Sequence, residues 1–222
     1  DESGLSNELT VVPKNPLNDT GLLRSGNAGS GTNATCTTAV NNDGHVPQDC
    51  DQGRDADLTI TKVGAGVAGF DFTKLGGDGS SLTVQDGAWA EDGSEAAGTR
   101  WSCVRDNNTG LVWEMKTEAD TGVHATNAKV KWDDRDVLAE TSNTEALCGI
   151  QTWRVPTVVE LATIVNANRL DPALDGNRFP NGAGSHWASV PVAGDAANGW
   201  VVNFFAGIPI LKAKSAAMSQ RV

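Results

Sequence analysis

Trp153-Arg154-Val155-Pro156-Thr157-Val158-Val159-Glu160-Leu161 reads as a loop turning into a helix. Thr157 and Glu160 make a capping box: the Thr hydroxyl accepts the amide three residues on, and the Glu carboxylate reaches back to the cap's own N–H. The helix therefore starts at Thr157. Behind the cap, Val158, Leu161, Ala162 and Val165 recur at the spacing of one helical face, and Asn166 offers a stop. Ahead of it, Pro156 holds Val155 extended, so Trp153 and Arg154 arrive from a strand-like approach. Arg154 is expected to bridge buried carbonyls or a carboxylate such as Glu160, with its loss unfolding the domain.

Outward from this stretch, the chain carries further aromatic and glycine punctuation. Asp106-Asn107-Asn108-Thr109-Gly110-Leu111-Val112-Trp113 precedes it, and Trp132 opens a second helical stretch. Phe179-Pro180, His186-Trp187-Ala188-Ser189 and Gly199-Trp200-Val201-Val202-Asn203-Phe204 with Gly207 follow. In this order, the pieces resemble the bacterial secreted domain found at the C-terminus of the Legionella collagen-like adhesin, written roughly as D-x-x-T-G-L-x-W, W-R-[LV]-P-T-x-x-E-L, F-P, W-[AS]-S and W-x-V-[DN]-F-x-x-G. The resemblance covers residues 100–222, and its signature residues here are Gly110, Trp113, Trp153, Arg154, Pro156, Thr157, Glu160, Trp187 and Trp200. The family pattern closes on a strand like V-R-x-V-R, whereas this sequence ends at Arg221-Val222. Either the closing strand is shorter here or part of it lies beyond the residues given. The resemblance implies a C-type-lectin-like fold similar to that of formylglycine-generating enzymes, and a role in adhesion that includes glycan binding.

Composition bounds the function. A net charge of -11 over 222 residues argues against nucleic acid, anionic membranes and sulfated glycans, because a polyanion is repelled on approach. Of seven Trp, six lie from residue 101 onward, which places the aromatic core in the C-terminal half. Stacking on sugars is one use for such rings, but core packing with the indole N–H on a carbonyl is the commoner one, and Trp89 or Trp101 is expected to be the exposed member. Four cysteines without zinc spacing point to two disulfides, Cys36 with Cys50 and Cys103 with Cys148. Chain entropy assigns them about 3 and about 4 kcal/mol. Disulfides place the chain outside a reducing cytosol, and the start at Asp1, with no leader, fits a mature secreted product. The apolar run from Trp200 to Leu211 is broken by Asn203, Gly207 and Pro209, so no transmembrane segment is expected.

Three regions follow along the chain. Residues 1–57 form a Gly/Asn-rich arm: Glu8-Leu9-Thr10-Val11-Val12 has the pattern of a strand ending at Pro13, and little apolar surface follows before Cys50. Residues 58–99 read as β-rich with glycine turns, strands being expected over 58–63, 67–72 and 81–85. Residues 100–222 carry a strand over 111–115, helices over 133–139 and 157–166, and strands over 186–190, 199–205 and 218–222. The class is α+β: a domain of two short helices and antiparallel strands behind a β-containing arm.

Chemistry-bearing motifs are sparse. Gly64-Ala65-Gly66-Val67-Ala68-Gly69 matches GxGxxG after an expected strand, but a glycine turn comes too soon for the helix a dinucleotide needs, so a β-turn region is expected. His45, His124 and His186 lie far apart, and no Ser or Cys has the context of an activated nucleophile. The expectation is a non-enzyme without a cofactor. Asp171, Asp175 and Asn177 are weak oxygen-ligand candidates for Ca²⁺, without EF-hand spacing. Asp133, Asp134 and Asp136 suit the first turn of a helix. Two functions remain: a cell-surface filament or pilus-like subunit whose arm, through residues 8–12, docks on a neighbour in self-association, or a monomeric or small-oligomer glycan-binding adhesin, its arm free to pack against residues 58–99 of the same chain.

Overall fold

The computed structural model describes residues 18–26, 33–35, 54, 61–118 and 121–222. In chain order the strands are β1 (Arg24–Gly26), β2 (Asn33–Thr35), β3 (Phe72–Leu75), β4 (Cys103–Asp106), β5 (Val112–Glu114) and β6 (Lys129–Val130). Two helices follow, α1 (Val137–Thr144) and α2 (Val158–Thr163), then β7 (Ser185–Val192), β8 (Asp195–Asn203), β9 (Ile208–Ala213) and β10 (Met218–Ser219). The class is α+β. A three-stranded antiparallel sheet runs β3-β4-β5, a five-stranded sheet runs β6-β10-β7-β8-β9, and β1 pairs with β2. In the larger sheet only β10 and β7 run parallel.

The two sheets share one core. Phe70 and Phe72 pack with Trp101, Trp113, Leu161 and Phe204, so residues well before position 100 belong to the same hydrophobic cluster as α2 and β8. Phe72 pairs in register with Asp106 and Leu75 with Cys103. Residues 61–99 are thus an elaboration of the C-terminal domain. The arm is anchored as well: Asn18 donates to Asp106 Oδ2 at 2.7 Å, Ala167 N–H reaches Thr20 O at 2.8 Å, and Arg54 N–H reaches Asp19 Oδ2 at 2.6 Å.

Several expected boundaries shift. The strand expected at 67–72 is displaced to Phe72–Leu75, because Ala65 and Phe72 exchange both backbone bonds at 2.8 Å and residues between them form the turn. Residues 61–63 and 82–85 carry no strand, Ser81 forming an isolated bridge to Leu75; residues 58–60 lie outside the described set. The helix expected at 133–139 divides into a 3₁₀ turn, Trp132–Asp134, and α1. Helix α2 stops at Thr163 rather than 166, since Asn166 N–H turns away to Ala173 O at 3.0 Å. Its core face uses Leu161 and Ile164 in place of Ala162, which is exposed. Strands β1, β2, β4, β6 and β9 were not anticipated from the residues.

Trp101 reverses its expectation: it is 1 % exposed, donates to Arg178 O at 3.2 Å and meets the half-buried Trp89 edge-on at 4.8 Å. A separate cluster stacks Trp132 edge-on against Trp187 at 5.2 Å. Trp132 packs against Gly199, where a Cβ would come within 2.3 Å of the indole; only glycine admits that approach. The Cys103–Cys148 disulfide ties β4 to the 3₁₀ turn Leu147–Gly149 behind α1. Cys36, Cys50 and Glu8 to Val12 lie outside the described residues.

Candidate functional site

Six of the nine signature residues converge. Gly110, Trp113, Trp153, Arg154, Pro156 and Glu160 line one cleft of about 240 Å³, closed on one side by Val222. Residues more than 40 positions apart are brought together there, which spacing alone does not reveal.

The cleft is built by two local structures. On one wall, Asp106 organises the β4–β5 hairpin: Oδ1 accepts Asn108 N–H at 3.0 Å, Oδ2 accepts the Thr109 hydroxyl at 2.7 Å, and Gly110 N–H closes on Asp106 O at 2.8 Å. Gly110 takes a φ of +75°, the left-handed conformation such a turn requires. The D-x-x-T-G pattern is therefore turn chemistry. On the other wall stands the capped helix. Thr157 Oγ1 accepts Glu160 N–H at 3.2 Å and Glu160 Oε2 accepts Thr157 N–H at 2.8 Å, forming the expected capping box.

Trp153 and Arg154 point opposite ways. Trp153 is buried, exchanges two bonds with the Asn143 side chain at 2.6 and 2.9 Å, and donates its indole N–H to Leu147 O at 3.1 Å. Arg154, whose side chain is 58 % exposed, forms a two-pronged pair with Glu160. The guanidinium holds the Glu160 carboxyl down to about 2. The Glu160 partner was anticipated; the exposure of the pair was not. An exposed pair is worth about 1 kcal/mol or less, so Arg154 presents a charge at the cleft rim and the domain does not depend on it.

Beneath the cleft lies an ionic cluster that the sequence did not announce. Glu114, fully buried, sits 3.1 Å from Lys116 Nζ and 2.8 Å from His124 Nδ1, and His124 Nε2 meets Glu145 at 3.0 Å. Hydrogen bonding to Glu114 raises the His124 pKa, while burial lowers that of Lys116. Arg221 donates to Glu114 O at 3.0 Å, and Glu114 N–H donates to Val222 O at 2.8 Å. The strand expected over 111–115 carried no assignment of faces, and no pattern signals that Glu114 is bonded by residues 221 and 222.

The remaining candidates disperse. Trp187 packs on Trp132, and Trp200 edges the main core. Asp171 and Asn177 are exposed, whereas Asp175 is buried and spends Oδ1 on Asn177 N–H at 3.0 Å. Among the described residues no group of three or more His, Cys, Asp or Glu is placed to hold a metal ion. The GxGxxG stretch is the hairpin turn closed by Ala65 and Phe72. His186 is enclosed beside Phe204, and burial together with Arg221 and Lys116 pushes it down to about 3.

A second depression, of about 460 Å³, lies between the arm root and α2. Asn18, Asp19 and Thr20 line one side, and Val158, Val159, Ala162 and Gly207 the other. Near it the β8–β9 hairpin exposes Phe205 (51 %), Ile208 (49 %) and Leu211 (43 %). Ile208 and Leu211 lie on opposite faces of β9, so apolar side chains are exposed on both sides of this strand.

No helix among the described residues is long and apolar enough to cross a membrane. Comparison with curated proteins and with solved structures finds no match. Residues 102–222 match the family model of the Lcl C-terminal domain, more than half of the chain, and the chain belongs to that family.

Proposed function

We propose that the chain is a non-enzymatic bacterial surface protein, outside the cytoplasm, in which a C-type-lectin-like domain serves as the repeating body of a filament or pilus-like assembly that contributes to adhesion. The observation that carries this reading is the exposed apolar hairpin of Phe205, Ile208 and Leu211 at the rim of the larger sheet. Membership of the Lcl C-terminal domain family supports a surface role, and the Cys103–Cys148 disulfide suits an oxidising compartment. The proposal of no catalysis draws on the side chains that reaction chemistry would recruit: both described histidines are committed, one between two carboxylates and one inside the core. No cofactor is assigned, and Ca²⁺ enters only as a variable of the binding test below.

Light scattering and negative-stain microscopy of the full chain test the reading, beside a chain lacking residues 1–17, which keeps the bond from Asn18 to Asp106, the first in chain order among the described residues. Large oligomers or filaments from the full chain, lost on deletion, are expected. Monomers from both would sink the proposal.

The signature cleft favours a second reading. A guanidinium and a carboxylate at the rim of about 240 Å³, over a floor to which the buried Trp113 and Trp153 contribute, suit a neutral sugar with its hydroxyls on the Arg154–Glu160 pair. A neutral-glycan array probed with and without Ca²⁺ tests it, and Arg154→Ala is the variant that should lose binding while remaining folded.

A further inference from the structure

The larger sheet ends on β9, and its backbone shows which groups are available there. Lys214 N–H donates to Ala197 O at 2.9 Å. The register pairs Asn198 with Ala213 and Asn203 with Ile208. Even-numbered residues of β9 therefore exchange bonds with β8, and Pro209, Leu211 and Ala213 turn their backbone groups outward. Proline, having no N–H, fits an outward position on an edge strand. Among the described residues no strand pairs with this outer edge, and all three outward residues are exposed. An edge of this kind is a template for pairing with another chain.

The side chains divide by face. Leu211 stands opposite Trp200 and Pro209 opposite Val202, on the side of the main core; Ile208, Ile210 and Lys212 occupy the other face. We propose that this edge accepts Glu8-Leu9-Thr10-Val11-Val12 of a second copy of the chain as a sixth strand, antiparallel to β9. The inference rests on the assembly reading above and names its contact.

One register satisfies the pattern. Glu8 lies opposite Lys212, Thr10 opposite Ile210 and Val12 opposite Ile208 on one face, with Leu9 opposite Leu211 and Val11 opposite Pro209 on the other. Leu9 and Leu211 exchange both backbone bonds, and Val11 N–H takes the one group Pro209 offers. The Glu8 carboxylate meets Lys212, with Lys214 just beyond, a basic pair on a chain of net charge -11. A slip of one residue would set Glu8 against Leu211, and every side chain would change face. A slip of two would place Pro13 against Pro209 and lose that backbone bond.

The second copy is favoured over the same chain by the connection. Only Pro13-Lys14-Asn15-Pro16-Leu17 separates the strand from Asn18, which lines the same groove as Gly207 at the start of β9. Folding back onto its own edge needs a compact, bent link, whereas two prolines favour extension at about 3.1 Å per residue. Short, stiff connections of this kind favour exchange between copies. One donor and one acceptor per subunit then generate a head-to-tail chain.

The test uses full-length protein. Thr10→Cys and Ile210→Cys variants, mixed under oxidising conditions, should give a disulfide-linked heterodimer that neither gives alone. Lys212→Glu should weaken assembly at least tenfold, and adding Glu8→Lys to it should restore assembly. Leu9→Pro removes an N–H that this register requires and should abolish cross-linking, with an unchanged urea midpoint checking that the body stays folded. Wild type that stays monomeric at every concentration overturns the assembly reading, and this contact with it. Filaments that form without the cross-link and survive Lys212→Glu keep assembly and overturn the β9 edge. A cross-link formed only within single chains carrying both cysteines places the strand on its own sheet and overturns the second copy.

Discussion

Glu160 answers two partners with one carboxylate, the Thr157 amide and the Arg154 guanidinium. The first was legible from the S/T-x-x-E spacing; the second follows from two side chains leaving the same turn. Glu160→Gln keeps the reciprocal cap and loses the ion pair, so urea denaturation at pH 7 should show a loss of about 0.5–1 kcal/mol. Glu160→Ala removes both and should cost about 1–2 kcal/mol. With the carboxyl at about 2 in the fold against an ordinary 4.5, the contribution is complete above pH 4.5 and fades as the pH falls towards 2. His186 has the same sign in a higher window. Held at about 3 against an ordinary 6.5, it stabilises fully above pH 6.5 and progressively less as the pH falls towards 3. His124, raised by Glu114, works in the opposite sense: its contribution is present below pH 6.5 and lost as the pH rises through its elevated value. His186→Gln should therefore flatten the decline in urea midpoint between pH 6.5 and 4.5, and an unchanged slope would assign that decline elsewhere. Neither histidine's environment was legible, because sequence does not say which residues enclose a ring.

Among the elements, the capped helix was legible and its length was not. A capping box is local chemistry within four residues, whereas the stop at Thr163 is set by Asn166 bonding a carbonyl seven residues on. Strand β4 shows the same limit: its residues Cys103-Val104-Arg105-Asp106 carry no clean alternation, and pairing on both sides with β3 and β5 makes the strand. The disulfide fastens this central strand to the turn after α1 across 45 residues. Replacing both cysteines, Cys103→Ala with Cys148→Ala, should lower stability by as much as about 4 kcal/mol, read from chemical denaturation of the paired variant against wild type. A loss below about 1 kcal/mol would show that the ionic cluster and Trp153 hold α1 in place without it.

For the whole molecule, charge outweighs any single contact. With a net charge of -11, the surface repels polyanions at distances up to a Debye length of about 10 Å at 0.1 M salt. The full chain should pass through immobilised heparin unretained at 0.15 M NaCl; retention would show that the basic residues near Lys212 form a local field strong enough to override the total. The shared core explains why three regions were read where residues from 61 onward make one body. Glycine turns and short strands look like a boundary in sequence, yet Phe70 and Phe72 fill the same space as Leu161 and Phe204.

The α+β class, the helix start at Thr157 and the family were legible in the chain itself, because each rests on short-range chemistry or on ordered motifs, whereas the Cys103–Cys148 pairing was an inference from proximity that the fold then bore out. Folding in three dimensions settled that Trp101 is enclosed, that Arg154 faces solvent, that six signature residues share one cleft, and that among the described residues no strand pairs with the outer edge of β9. Those depend on which faces meet across tens of residues, and burial is a property of the assembled layers rather than of any residue's neighbours in the chain.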